Sequence, residues 1–468
     1  MAVRRHGFII LFVPAMLLSA ADSKETINLS ALPESAYLHI PFCRRRCYYC
    51  DFAVSIVGDR PPVARTDGLA SDSVQSSTFG TIARYVEILR QEIRDTASFG
   101  KPLQTIFFGG GTPSLLSVEQ LSQILDTLNQ QFGIAAGAEI SMEIDPGTFD
   151  LAQVQGYRAA GVNRVSIGVQ AFQPELLQAC GRSHTVADVY QAVEWVQQAG
   201  FKNVSLDLIS GLPRQTLADC QVSLETAIAL APTHLSCYDL TIEPITAFGK
   251  QYKPGMQPLP SDETTAEMYR MAQRLLTTAG YDHYEISNYA KLGYQCRHNR
   301  VYWENRSFYG FGMGATSYVE HDRFSRPRKT REYYEWVEER QRSGNWRVGR
   351  GAWGVPEPHP SSSIPPQSGS QLHPSSDLLL DTLMLGLRLA EGLSLAALRE
   401  KFGRETMQRV WTCLQPFYQK GWVVISDPTG AIAPSLAALP ESGRLQLSDP
   451  EGFLFSNVIL VSLFEEFE

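Results

Sequence analysis

The sequence predicts an α/β fold in which a partial (β/α)6 barrel precedes a winged-helix-like domain. Between residues 37 and 241, short β-branched or aromatic runs alternate with amphipathic stretches of helical spacing, a pattern typical of βα units around a parallel sheet. Polar residues recur where these runs end, and barrel proteins gather their functional groups at such ends. A stretch rich in Pro, Ser and Gly then separates these units from a helical C-terminal segment.

Six strands are predicted in the barrel, each followed by a turn and a segment with helical spacing. Six units fall short of the eight in a closed barrel, so we expect an open one. Ser117 and Gln120 match a capping box at the start of one helix, and Gly161 and Gly200 are expected to end two others. The predicted strands are 37–40, 105–108, 139–144, 164–169, 204–209 and 234–241.

The chain divides into five predicted segments. Within the first βα unit, residues 53–80 are rich in Gly, Ser, Asp and Pro and are expected to form an exposed loop. The C-terminal segment lacks the basic stripe of a DNA-binding winged helix, so a scaffold or partner surface is expected there instead. The segments are a leader of undetermined role at 1–30, a barrel core at 31–265, an extension at 266–350, a flexible linker at 351–376 and a C-terminal domain at 377–468.

The N-terminus has the features of a secretory signal. Arg4 and Arg5 precede an apolar run at 7–21 that is too short for a comfortable membrane span. The cysteine pattern described below argues instead for a reducing compartment. We therefore expect a cytoplasmic protein, and the alternative is an organelle-targeted one that uses this N-terminal segment.

Composition and cysteine spacing indicate which kinds of ligand the protein is expected to bind. A net charge of -8 and a pI of about 5.7 oppose non-specific binding to nucleic acid, so no nucleic-acid partner is expected. Eight cysteines are too sparse for a disulfide scaffold in 468 residues, and three of them fall within eight residues. This clustering indicates metal chemistry.

The clustered cysteines are Cys43, Cys47 and Cys50, spaced C-x3-C-x2-C directly after a predicted strand. Thiolates suit iron–sulfur clusters, and a [4Fe–4S] cube held by three cysteines leaves one iron free for an exogenous ligand. In radical S-adenosylmethionine (SAM) chemistry that ligand is SAM. The alternative is a structural zinc site, which needs four ligands, and the sequence offers no second cysteine pair.

Further candidate ligands for a bound SAM fall at or near successive strand ends. The glycine run at 107–113 would let backbone amides approach a polar ligand, although a tight βα turn explains it equally well. Acids that end apolar strands are costly to bury unless they are paired or bound to a ligand. The polar candidates at these ends are Glu143, Gln170, Arg182 and Asp207.

Seven stretches between residues 36 and 320 resemble successive motifs of the HemN/HemW family of radical SAM proteins. They are HIPFCRRRCYYCDF, FFGGGTPS, MEIDPG, RVSIGVQAF, NVSLDLISGLPRQT, LSCYDLTIE and HNRVYWENRSFYGFGMGATSY. The C-terminal stretch from 444 to 467 resembles the ending of the haem-chaperone branch. The resemblance implies that Tyr49 contacts a second SAM or the substrate. It also implies SAM-binding roles for Tyr37, Gly110, Gly111, Thr112, Glu143, Gln170, Arg182 and Asp207.

The resemblance leaves two functions open. One is a haem chaperone that delivers haem to haem-requiring apoproteins, including respiratory, membrane-associated ones. The other is an oxygen-independent coproporphyrinogen III dehydrogenase, in which a deoxyadenosyl radical abstracts hydrogen from propionate side chains. The resembled dehydrogenases usually carry a further cysteine two residues after the third cluster ligand, where this chain has Phe52. Phe52 favours the chaperone. Whether the chain forms a homodimer stays open.

The stretch HNRVYW matches an HNxxYW motif that the resemblance links to haem. His298 offers an imidazole as an axial iron ligand, and Tyr302 and Trp303 offer aromatic faces to a porphyrin. Cys296 is an alternative soft ligand. The opposing interpretation is a packed histidine whose ring nitrogens are satisfied inside the protein.

Overall fold

The computed structural model describes residues 32–58, 75–319, 322–343, 376–432 and 439–467. The predicted leader, nearly all of the predicted linker and part of the predicted loop lie outside these residues. No helix in the described part of the chain is both long and apolar enough to cross a membrane.

The first half of the chain alternates strands with helices, as predicted. A 3-10 turn at Pro113–Leu115 precedes the second helix. The strands are β1 (Ser35–Ile40), β2 (Phe42–Cys43), β3 (Ser55–Ile56), β4 (Leu103–Gly110), β5 (Ile134–Ile144), β6 (Arg164–Gln170), β7 (Asn203–Ser210) and β8 (His234–Asp239). The helices are α1 (Gln75–Asp95), α2 (Val118–Phe132), α3 (Leu151–Ala159), α4 (Pro174–Ala179), α5 (Val186–Gln198), α6 (Leu217–Ala229) and α7 (Ala247–Gln251).

The next segment adds short strands and three helices. Its strands are β9 (Asp282–Glu285), β10 (Asn288–Ala290), β11 (Tyr309–Phe311), β12 (Thr316–Val319) and β13 (Asp322–Ser325). Its helices are α8 (Asp262–Thr278), α9 (Arg297–Trp303) and α10 (Thr330–Ser343). The last segment contains β14 (Leu393–Ser394), β15 (Val423–Ser426), β16 (Arg444–Leu447), α11 (Ser376–Gly386), α12 (Leu395–Phe402), α13 (Arg404–Gln419), α14 (Glu451–Leu454) and α15 (Ser456–Phe467).

One nine-stranded sheet, in the order β11-β1-β4-β5-β6-β7-β8-β10-β9, forms the barrel. Strands from β11 to β8 pair in parallel, whereas β10 is antiparallel to both β8 and β9. The six predicted strands are confirmed, and the sheet is open because β11 and β9 form its edges. The three further strands of this sheet, β9, β10 and β11, were not predicted, because runs of three or four residues show too little alternation.

The helix boundaries follow the predicted local signals. Ser117 and Gln120 form both hydrogen bonds of a capping box at the start of α2. Gly161 and Gly200 follow the ends of α3 and α5 with φ of 116° and 82°, a left-handed conformation that glycine adopts without a Cβ clash. These turns return the chain to the next strand, so the carboxyl ends of the parallel strands share one edge.

Helix α8 crosses the predicted boundary between the barrel core and the extension. Residue 265 lies inside α8, and buried side chains of the extension such as Met268 and Phe311 join the same hydrophobic core as β1 and β4. The predicted loop at 53–80 is also too long, because β3 begins at Ser55 and α1 begins at Gln75. Periodicity marks elements, but it does not show which elements share a core.

The C-terminal segment has its own core around the fully buried Trp411. Its helices pack on a three-stranded antiparallel sheet of order β14-β16-β15, which agrees with the predicted winged-helix-like fold. This unit is tied to the barrel by backbone and side-chain bonds. Ala390 N donates to Tyr284 O at 3.0 Å, and the Arg270 guanidinium donates twice to the Glu451 carboxylate, at 2.6 and 3.0 Å.

Candidate functional site at the strand ends

The three clustered cysteines lie on the loop that follows β1. Cys43 closes β2, and Cys47 and Cys50 come after it on the same loop. All three are partly exposed free cysteines. The loop therefore presents three thiols near the edge of the sheet where the parallel strands end.

Two distant segments hold this loop in place. Tyr48 N donates to Cys180 O at 3.0 Å, and Phe248 N donates to Tyr48 O at 2.9 Å. The ring of Tyr49 lies 6.4 Å from that of Phe248 and belongs to a small apolar cluster beneath the loop. The position of the cysteines is thus fixed from two sides, and Tyr49 contributes to that packing.

Two of the thiols accept hydrogen bonds from polar side chains at the strand ends. Thr112 Oγ1 donates to Cys43 Sγ at 3.7 Å, and Arg182 Nη1 donates to Cys47 Sγ at 3.4 Å. Both donors also bind Asp145, which accepts from Arg182 Nη2 at 2.6 Å and from Thr112 Oγ1 at 3.2 Å. The predicted positions Thr112 and Arg182 are therefore brought together at the cysteine loop.

Burial controls the acidity of the flanking thiols. It raises the pKa of Cys43 to about 12 and that of Cys50 to about 11. Without a metal these two thiols are protonated at neutral pH, and a bound metal cation would favour their thiolate forms. Metal binding at this loop should therefore release protons.

The donor set fits an iron–sulfur cube better than a single ion. In the described ranges, no group of three or more His, Cys, Asp or Glu side chains is arranged to hold one metal ion. A structural zinc needs four such ligands around one point, whereas each thiolate on a cube binds a different iron. Arg182 Nε is also buried without a hydrogen-bond partner among the described residues, and it is a donor suited to an anionic ligand.

The predicted strand-end acids lie in polar surroundings inside the barrel. Glu143 Oε2 accepts from Gly110 N at 3.0 Å, and the Asp207 carboxylate accepts from Ser166 Oγ at 2.8 Å and Ser205 Oγ at 3.1 Å. Burial, with the nearby Asp207 charge, raises the pKa of Glu143 to about 8, and burial also raises the pKa of Asp207. Neither carboxyl forms an ion pair in the described structure, so both could donate to or accept from a polar ligand.

The glycine run is required by protein packing. A Cβ on Gly110, whose φ is 108°, would lie 2.4 Å from the His39 ring. A Cβ on Gly111 would lie 2.7 Å from Phe42 O. The end of β4 thus approaches the cysteine loop too closely for any side chain. This close approach accounts for the glycines without a ligand, and their SAM-binding role stays a prediction.

The last two predicted SAM positions are also at the barrel interior. The Tyr37 hydroxyl lies 3.1 Å from His39 Nδ1, and its ring stacks 6.3 Å from that of Phe107. Gln170 ends β6 with a φ of 69°, a left-handed conformation that is uncommon outside glycine. Such strain tends to persist where the surrounding structure or a function requires it.

Comparison with known proteins agrees with this geometry. A family model for the radical SAM superfamily matches residues 37–227, and a model for the HemN C-terminal domain matches residues 374–428. Membership of that superfamily implies a [4Fe–4S] cluster and SAM. A solved structure of coproporphyrinogen III oxidase (HemN) from Escherichia coli aligns with a TM-score of 0.68 and 22% identity, covering 93% of this chain and 91% of that one. At that identity the likeness shows the fold.

Sequence relatives decide the family. A protein named heme chaperone HemW from Synechocystis sp. is 44% identical over 439 residues, which are 93% of this chain and 98% of the relative. The protein of the same name from Bacillus subtilis is 33% identical over 84% of this chain and 93% of its own length. The chain belongs to the HemW family of radical SAM proteins. The HemW protein of Escherichia coli is 40% identical over 60% of this chain and 69% of its own length.

The HNxxYW motif of this HemW-family chain lies inside the barrel. His298 is fully buried on α9, and its Nδ1 lies 2.8 Å from Thr105 Oγ1 while its Nε2 lies 2.8 Å from Tyr302 Oη. The ring also stacks 5.2 Å from Phe107, and burial lowers its pKa to about 3. An axial haem-ligand role would require one of these hydrogen bonds to break, and that role stays a prediction. Both ring nitrogens are occupied, as in the packed-histidine interpretation.

The two aromatic residues of the motif, Tyr302 and Trp303, also pack against other side chains of the protein. Tyr302 packs edge-on against Phe308, with ring centroids 4.7 Å apart. The guanidinium of Arg388, from the C-terminal segment, lies 5.4 Å from the Trp303 ring centroid. Cys296, the alternative haem ligand, is fully buried and precedes the first turn of α9. In the HemW family member described here, α9 therefore links the barrel interior to the C-terminal unit.

Sequence reasoning missed two acids of the site. Asp145 follows Glu143 by two residues in the same EIDPG stretch, and it contacts Thr112 and Arg182. Glu139 is buried in β5 and accepts from the backbone amide of His298 at 3.0 Å. Positions 139, 141 and 143 share one face of a strand. That alternation could have indicated Glu139, whereas Asp145 lies beyond the strand and carried no such signal.

Proposed function

We propose that this chain is a haem chaperone, which binds a [4Fe–4S] cluster and SAM at the strand ends and delivers haem to haem-requiring proteins. The observation that carries this proposal is the 44% identity with heme chaperone HemW of Synechocystis sp. across nearly the whole length of both chains. Phe52 gives local support, because it occupies the position where the resembled dehydrogenases have a further cysteine.

In this proposal Cys43, Cys47 and Cys50 hold the cluster and leave one iron for SAM. A cluster held there would supply the reducing electron for a SAM sulfonium bound beside it. The groups that would bind SAM differ in chemistry, because Glu143 and Asp207 offer carboxyl groups whereas Arg182 offers a buried cation. The other positions proposed for SAM are Tyr37, Tyr49, Gly110, Gly111, Thr112 and Gln170.

Haem is the proposed cargo, and its acceptors would be apoproteins, including respiratory ones at membranes. The proposal does not require His298 as an axial ligand, because both of its ring nitrogens are bonded within the barrel. Its support is instead the relatives' name and the absence from position 52 of the cysteine found in the resembled dehydrogenases. The motif around His298 would then have an architectural role.

Anaerobic reconstitution followed by two parallel assays tests the function. Haem transfer from the reconstituted protein to an apo-acceptor is the expected activity, and no protoporphyrinogen IX should form from coproporphyrinogen III. SAM-dependent turnover of coproporphyrinogen III would overturn the chaperone proposal in favour of the dehydrogenase. A chain that binds neither haem nor a cluster would contradict both.

A further inference from the structure

Asp145 occupies a central position among the groups around the cysteine loop. Its two carboxylate oxygens accept from different donors, Oδ1 from Arg182 Nη2 at 2.6 Å and Oδ2 from Thr112 Oγ1 at 3.2 Å. Arg182 Nη1 donates at the same time to Cys47 Sγ, whereas Thr112 Oγ1 has one hydroxyl hydrogen and shares it between Asp145 and Cys43 Sγ. The carboxylate therefore orients the guanidinium that donates to one of the three proposed cluster ligands.

The surrounding backbone fixes this carboxylate. Asp145 N donates to Ser114 Oγ at 3.1 Å, and Thr148 Oγ1 donates to Asp145 O at 2.7 Å. A Cβ on Gly168 would lie 2.6 Å from Asp145 Oδ1, so only glycine leaves room for the acid at that place. The Asp145 carboxylate and the space that it fills are thus formed by the ends of two neighbouring strands, β5 and β6.

The ion pair with Arg182 lies largely out of solvent. The Arg182 side chain is 8% exposed and that of Asp145 is 26% exposed. A guanidinium in such a place needs a counter-charge, since an unpaired buried charge is strongly disfavoured. Removing Asp145 would take away the carboxylate partner of Arg182 and leave Gly168 O, at 3.1 Å from Nη2, as a weaker anchor, so the guanidinium could turn away from Cys47.

We propose that Asp145 is a positioning residue, which holds the Arg182 guanidinium against the thiolate of Cys47 and thereby sets the reduction potential of the cluster. This inference rests on the proposed function, in which the three clustered cysteines hold a [4Fe–4S] cluster. Hydrogen bonds to cluster sulfurs and nearby charge are among the factors that set such potentials. Outer-shell groups that orient metal ligands have large effects when they are removed.

Two substitutions of Asp145 distinguish its positioning of Arg182 from the effect of its own negative charge on the cluster. Asp145→Asn removes the negative charge but keeps an oxygen that can accept from Arg182, whereas Asp145→Ala removes both. If Asp145 positions Arg182, the potential of the alanine variant should lie below that of the asparagine variant, because a guanidinium that leaves Cys47 Sγ no longer stabilises the reduced cluster. The expected difference is about tenfold in the reduction equilibrium, or about 59 mV for one electron. Asp150→Ala, a cap residue five positions later in the same loop, is the matched control.

The measurements are iron and sulfide content, a redox titration followed by electron paramagnetic resonance, and thermal unfolding of each apoprotein. Equal potentials in the two Asp145 variants would overturn the inference. Asp145→Ala could fail to assemble a cluster, and the thermal unfolding midpoints of the apoproteins then decide. A midpoint equal to that of Asp150→Ala supports the positioning role, and a lower midpoint overturns it. A wild type that holds no cluster would instead refute the proposed function.

Discussion

The imidazole of His298 lies between the hydroxyl groups of Thr105 and Tyr302, each 2.8 Å from one ring nitrogen. This arrangement joins β4 to α9 across the barrel interior. Glu139 completes it, because its carboxylate accepts from the backbone amides of Arg297 and His298 at the first turn of α9. The HNxxYW motif is therefore part of the barrel's internal polar packing.

We expect His298→Ala to lower stability without abolishing haem binding. The substitution leaves the Thr105 and Tyr302 hydroxyls without their buried partner, at a cost of about 1–3 kcal/mol for each unsatisfied group. Thr105→Val should reproduce part of the loss, and Thr277→Val on the exposed side of α8 is the control. Denaturant unfolding and the Soret band of haem-loaded protein check this. A loss of haem affinity at unchanged stability would restore the axial-ligand interpretation.

We expect any single Cys43→Ala, Cys47→Ala or Cys50→Ala substitution to abolish the cluster. Three thiolates are the smallest set that holds such a cube, and the loop has no further cysteine to replace one. Cys220→Ala, in the buried face of α6, is the matched control and should retain full iron and sulfide content. An intact cluster in Cys47→Ala would contradict the assignment.

The sequence predicted the regular part of the fold because each βα unit carries its own signals. Buried strands such as β6 are continuous apolar runs, and helix ends such as Gly161 require a left-handed backbone. Strands β10 and β11 pair with strands that are distant in the sequence, as Tyr309 of β11 does with Ala36, and β9 adds to the sheet through β10. Such pairing leaves no local pattern, so three strands and the shared core were missed.

The candidate site likewise contains residues that a local sequence pattern indicates and residues that it does not. Cys43, Glu143 and Asp207 were predicted because spacing and strand position indicate them. The orientation of His298 was not, since a histidine that binds iron and one that bonds to Thr105 look alike in a sequence. Asp145 was not predicted, because its partners, Thr112 and Arg182, are 33 and 37 residues away in the sequence.

The buried ion pair of Glu92 and Arg326 should be the most costly one to break. Their side chains are 0% and 1% exposed, and Glu92 also accepts from Tyr333 Oη at 2.7 Å. Glu92→Ala removes the carboxylate that pairs with the buried Arg326 guanidinium, so we expect a loss of about 3–5 kcal/mol in the free energy of unfolding. Glu87→Ala removes an exposed acid from the same helix and should cost about 0–1 kcal/mol. Equal losses in denaturant unfolding would contradict this ranking.

We expect Glu143→Ala and Asp207→Ala to leave the cluster assembled but to weaken SAM binding. Losing one charged hydrogen-bond partner of a ligand typically costs about 1.5–3 kcal/mol, or roughly tenfold to more than a hundredfold in affinity. Asp219→Ala, in the exposed capping box of α6, is the control. SAM titration of the reduced cluster, followed by electron paramagnetic resonance, measures the effect. Unchanged affinity in both variants would make these acids structural.

The raised pKa of Glu143 predicts how stability of the apoprotein depends on pH. Burial lifts this pKa from 4.5 to about 8, so the folded chain keeps a proton that the unfolded chain has lost across that window. The resulting stabilisation is fully present below pH 4.5 and disappears as pH rises through about 8. Glu143→Gln mimics the protonated acid and removes the titration of this carboxyl. We therefore expect the free energy of unfolding of the wild type, relative to Glu143→Gln, to fall steadily from about pH 5 to about pH 8. Anaerobic denaturant unfolding across that range measures the difference, and a constant difference would show that the Glu143 carboxyl ionises alike in folded and unfolded chains.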